Sequence, residues 1–84
     1  MDKNKIIMIL RLIKRNEQYD IEVPINVTAN ELFNALNEGF RLNIDSRDIT
    51  QYYLKTENPI ALLKGNKKIS EYGLHNGTII NFAR

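Results

Sequence analysis

Between Lys5 and Lys14 the chain is dense in isoleucine and leucine, and from Tyr19 to Val23 the residues Tyr19, Ile21 and Val23 alternate with Asp20 and Glu22. A period of two puts successive side chains on opposite faces of a strand. Two strands joined by the polar Arg15-Asn16-Glu17-Gln18 therefore predict a hairpin. Pro24 has no amide hydrogen to offer a neighbour, which ends pairing or confines its strand to an edge. The second strand is expected at the edge of the sheet.

The period then changes. Thr28 and Glu31 have the spacing of a capping box, in which hydroxyl and carboxylate each accept a hydrogen bond from the other's backbone N–H. Val27 and Leu32 fit the accompanying hydrophobic staple, and Leu32, Leu36 and Phe40, with Phe33 beside them, make one apolar face. A helix is predicted from Ala29 to Glu38, with Gly39 helping to terminate it and Asn34, Asn37, Glu38 and Arg41 facing outward. Asp45 or Ser46 is placed to cap a short helical turn running towards Ile49. A third strand is predicted over Gln51 to Lys55, a turn at Asn58-Pro59, a fourth strand over Ile60 to Leu63, a helical turn over Ile69 to Tyr72, a turn at Asn76-Gly77 and a last strand over Thr78 to Phe82. This order is α+β, with one helix across a mixed sheet.

At 84 residues the chain suffices for one domain, residues 1–84, burying roughly 60 to 65% of its unfolded surface. With 43% hydrophobic and 26% charged residues, the composition is that of a folded globular domain. The net charge of +2 is too small to argue for a nucleic-acid partner. There is no cysteine, which removes disulfides, thiolate nucleophiles and thiolate-held metals and suits the cytoplasm. Lys3 and Lys5 precede an apolar run from Ile6 to Leu10, but Arg11 breaks it well short of an export signal core or of the ~20 residues of a membrane span.

The closing segment, with Ile69, Tyr72, Leu74, Asn76-Gly77, Ile80 and Phe82, resembles the final third of a ubiquitin-like β-grasp domain. That implies a mixed sheet of four to five strands with one main helix across one face. Conjugating and sulfur-carrying relatives act through a terminal Gly-Gly carboxylate. Ala83-Arg84 departs from that pattern, so a protein-binding role is expected in place of chemistry at the tail. Tyr19-Asp20-Ile21-Glu22-Val23-Pro24, Thr28 to Phe40 and Leu62-Leu63 further resemble the YukD/EsaB family, small ubiquitin-like proteins associated with type VII (WXG-protein) secretion of Gram-positive bacteria. The resemblance implies a non-enzymatic, cytoplasmic accessory protein without a cofactor, peripheral at the inner face of the membrane through a protein component of the secretion apparatus. A β-grasp module of another assembly and a weak nucleic-acid-binding domain are the alternatives.

Only one face of such a sheet is covered by the helix. With Ile6, Met8, Leu10 and Leu12 facing the helix, Ile7, Ile9 and Ile13 face outward around Arg11, and Ile79 joins them if Ile80 and Phe82 point inward. An exposed apolar patch of this kind marks a protein-binding surface or a homodimer contact. Lys64, Lys67 and Lys68 flank the Gly65-Asn66 turn without the glycine spacing of a phosphate loop, and solvated lysines are the expectation there. One of Tyr52 and Tyr53 should face outward beside Lys55. His75 has no cysteine or acidic pair for a metal, Asp45 and Asp48 fit capping better than acid–base chemistry, and Tyr72 is expected to pack its ring and bond its hydroxyl to backbone.

Overall fold

The computed structural model describes residues 4–45 and 53–82. Five strands, β1 (Lys5–Leu12), β2 (Glu17–Pro24), β3 (Leu54–Glu57), β4 (Ala61–Leu63) and β5 (Ile79–Phe82), form one sheet in the order β2-β1-β5-β3-β4. β1 and β5 run parallel at its centre, and the other neighbours are antiparallel. Helix α1 (Ala29–Gly39) follows β2, and 3-10 turns occupy Ile13–Arg15 and Ile69–Tyr72. The fold is an α+β β-grasp, with β2 at the edge where Pro24 is tolerated.

The capping box sets the start of α1. The Thr28 hydroxyl accepts the Glu31 N–H and the Glu31 carboxylate accepts the Thr28 N–H, both at 3.1 Å. Leu32, Phe33 and Leu36 then pack against Met8, Leu10 and Leu12 of β1 and Ile80 and Phe82 of β5 in one buried core. Phe33 meets Phe82 edge-on, with ring centroids 6.2 Å apart. Two threonines are fully buried beside these apolar groups. Thr56 donates its hydroxyl proton to the Pro59 carbonyl at 2.7 Å and Thr78 to the Asn58 carbonyl at 3.0 Å, which ties down the turn between β3 and β4.

The helix ends differently from the expectation. Gly39 lies within α1, and the left-handed residue that follows is Arg41, at φ 53°. Arg15 compensates for the missing glycine cap by donating to the Phe40 and Arg41 carbonyls at 2.6 Å each. A cation at this end also complements the helix dipole. Tyr19 meets Phe40 in a tilted contact with ring centroids 5.0 Å apart, and its phenol is held above the usual tyrosine range by desolvation and then by a hydrogen bond to Glu17. Arg15→Ala should cost about 1–2 kcal/mol in denaturant unfolding, with fraying confined to the last turn of α1 in amide exchange.

Asn37, expected to face outward, is half-buried. Its carboxamide donates to the Ile44 carbonyl at 2.7 Å and accepts the Ile44 N–H at 3.0 Å, imitating a strand partner and seating Ile44 in the core at 8% exposure. Asn37→Ala would leave both backbone groups without their partner and should cost about 1–3 kcal/mol by thermal melting.

Some boundaries also move. β1 stops at Leu12 because Ile13–Arg15 already turns, closing on Asn16 at φ 53°, a conformation asparagine tolerates. β3 runs Leu54–Glu57, ending two residues beyond the expected Lys55. The capped turn expected from Asp45 or Ser46 towards Ile49, the strand start at Gln51, Asp48, Tyr52 and the Ala83-Arg84 tail lie outside the described residues.

Candidate functional site

Residues opposite one another in a ladder share a face, so the register maps the outer surface of the sheet. Ile9 stands between Asp20 of β2 and Ile79 of β5, and Ile79 in turn stands beside Glu57 of β3. Ile7, two residues back along β1, faces Glu22. Met8, Leu10 and Leu12 are buried on the opposite face, as are Ile80 and Phe82. Ile7 is 47% exposed, and Ile9 and Ile79 are half-buried. The three isoleucines form one outward apolar cluster on the face that α1 does not cover.

The cluster has charged borders. On one side Lys5 pairs with Glu22 at 3.7 Å. On the other, Arg11 reaches across β5 to Glu57 at 3.6 Å and donates to the Gln18 carboxamide at 3.3 Å. Exposed pairs of this kind contribute little stability, but here they fix where apolar surface stops. Ile13, the fourth candidate, is 51% exposed. It lies in the 3-10 turn beyond Arg11, and so the structure does not bring it to the other three.

Exposed apolar side chains that sequence reasoning left out lie at the other end of the sheet. Ile60 is 80% exposed and Leu62 56%, with Leu62 directly opposite Lys55. Three residues of β4 are too few to reveal an alternation, and so no face could be assigned to Leu62. Tyr53, at 55% exposure, faces outward as expected of one member of the tyrosine pair.

Lys64, Lys67 and Lys68 sit in a structural joint. The Tyr72 hydroxyl donates to the Lys64 carbonyl and accepts its N–H, each at 3.1 Å. Lys67 gives its carbonyl to the Ala29 N–H at 2.9 Å and holds its ammonium 4.7 Å from the Tyr72 ring centre. The Lys68 N–H donates to the Glu71 carboxylate at 2.9 Å. The first N–H groups of α1 are thus already satisfied, by Lys67, by Gly65 and by Thr28. Tyr72 has the packed ring and backbone-bonded hydroxyl expected of it. Tyr72→Phe should cost about 1 kcal/mol in thermal unfolding.

His75 is exposed, with Nδ1 2.8 Å from the Asn76 carbonyl oxygen. Among the described residues no three His, Asp or Glu side chains gather as a metal site, and no helix is long and apolar enough to cross a membrane.

The model of the WXG100 protein secretion system (Wss) protein YukD matches residues 7–81. The chain belongs to the YukD family. It is accordingly a secretion-associated ubiquitin-like protein. No curated protein sequence matches it. Solved structures agree on the fold. The C-terminal ubiquitin-like domain of mouse tubulin-specific chaperone e is similar at a TM-score of 0.68, with 9% identity over 100% of this chain and 93% of that one. A designed protein based on ubiquitin reaches 0.68 with 15% identity over 95% and 88%. The ubiquitin-like domain of yeast Ddi1 reaches 0.64 with 15% identity over 95% and 91%. At these identities the likeness to solved structures speaks for the ubiquitin-like fold alone.

Proposed function

We propose that this YukD-family protein is a non-enzymatic accessory of the secretion system, acting by docking the outer face of its sheet on a protein component of the apparatus. The observation that carries the reading is the cluster of Ile7, Ile9 and Ile79, apolar surface gathered on the uncovered face and bounded by charged pairs. An apolar centre with a polar rim is the anatomy of a protein interface. The partner is proposed to be membrane-embedded, with this protein cytoplasmic and peripheral to the membrane through it.

Affinity capture of tagged protein from gently solubilised host membranes tests this reading. Enrichment of secretion-system subunits is the expected result. Recovery of only unrelated or nucleic-acid-associated proteins would contradict it.

A further inference from the structure

Charge is unevenly divided along this chain. Residues 17–40, which contain β2 and α1, hold five of the ten acidic residues and none of the twelve Lys and Arg. The remainder is therefore markedly basic, and the near-neutral total conceals an acidic stretch of chain, met in the fold by Lys5 at Glu22 and by Arg15 at the end of α1. Those two elements wall an open groove of about 420 Å³, lined by apolar Ile21, Val23, Val27, Leu36 and Phe40 with Glu22 and Glu31 among them.

The wall on the β2 side is a sheet edge whose free backbone groups can be located. In β1 the Ile9 N–H donates to Thr78, the Ile7 N–H to the Asn76 side chain, and the Ile7 carbonyl accepts from Gly77, so these residues bond toward β5. Backbone bonding alternates along a strand, and Ile6, Met8 and Leu10 therefore bond toward β2, where they face Val23, Ile21 and Tyr19. The Ile25 N–H on the Asn4 carbonyl, at 2.8 Å, continues the same series. By the same alternation Gln18, Asp20 and Glu22 turn their N–H and C=O groups to the open edge. Pro24, next in that series, has no N–H to leave unpaired. Among the described residues no strand pairs with this edge.

We propose that this edge binds an extended basic and apolar segment of a partner protein, adding it to β2 as a sixth strand. Backbone pairing with Gln18, Asp20 and Glu22 would hold it. Alternate apolar side chains would enter the groove over Leu36 and Phe40, and the basic ones between them would lie beside Asp20 and Glu22. A second copy paired through its own β2 would instead set carboxylates against carboxylates, which is unfavourable. The inference concerns the open edge of β2, which adjoins the outer face through the side chains of Asp20 and Glu22, and does not depend on the secretion partner.

Amide-resolved NMR titration with a short capped peptide alternating valine and lysine tests it. The expected result is saturable shifts over Gln18–Glu22 and along the Leu36 and Phe40 side of α1, weakened by salt. A peptide alternating valine and glutamate should bind at least about tenfold more weakly. Asp20→Pro removes a donor from the open edge while leaving the β1 pairing intact, and should abolish the shifts in a folded variant. If that variant does not fold, the exposed double reversal Asp20→Lys with Glu22→Lys should switch the preference to the glutamate peptide. Equal binding of both peptides, shifts only elsewhere, no shifts at all, full binding by folded Asp20→Pro or an unswitched preference would each overturn the proposal.

Discussion

Leu10→Asp should abolish cooperative unfolding, while Ile9→Lys, one residue away, should melt within about 1 kcal/mol of the wild type. Leu10 is fully buried, with Tyr19 and Ile80 as ladder neighbours. An unpaired carboxylate there costs several kcal/mol, comparable with the whole stability of a small domain, about 5–15 kcal/mol. Ile9 faces the other way and stands opposite Asp20. A lysine in its place loses some packing but gains an opposite charge across the ladder. Circular dichroism against denaturant reads both. Because a one-residue slip exchanges the faces of a strand, the reverse pattern would mean that β1 is turned over.

The second large effect is on binding. Ile7→Lys combined with Ile9→Lys should weaken the contact with the secretion partner by at least about a hundredfold, since each isoleucine buried at an interface contributes about 1.5–3 kcal/mol. Lysine is preferable to aspartate because Ile7 and Ile9 face Glu22 and Asp20, and a like charge directly opposite would itself destabilise the sheet. Loss of binding in a variant that unfolds normally then reports the surface. Quantitative pull-down with purified protein, with the melting curve recorded alongside, checks it. Undiminished binding would remove the outer face from the account.

Much of this was legible because local signals agreed with one another. The capping box, the staple and the Leu32, Leu36 and Phe40 spacing located α1, and Pro24 marked β2 as an edge strand. The faces of β1, apolar on both, could be given only conditionally from the sequence, and it is the burial of Met8, Leu10 and Leu12 that tells them apart. Where the reading fell short, a side chain was answering a tertiary demand. Asn37 has the composition of an exposed helix residue, yet its carboxamide is used by Ile44. Arg15 looked like turn polarity, yet it closes the end of a helix reached only through the fold. The end of β3 was missed because Thr56, polar by sequence, is buried once its hydroxyl finds Pro59. In the candidate site, alternation groups Ile7 with Ile9, and with Ile79 if β1 and β5 are neighbours, but it does not say which face the helix covers. The separation of Ile13 by the Arg11 pairs was not foreseeable, because it depends on a strand distant in sequence.

The most direct test of docking through the outer face is site-specific photocrosslinking in the host, with the reactive group at Ile7 and, as control, at the exposed Asn34 of α1. Adducts with a secretion-system subunit from position 7 and none from position 34 are the predicted result. Adducts from position 34 alone, or none from position 7 while the subunit is still captured, would contradict the account.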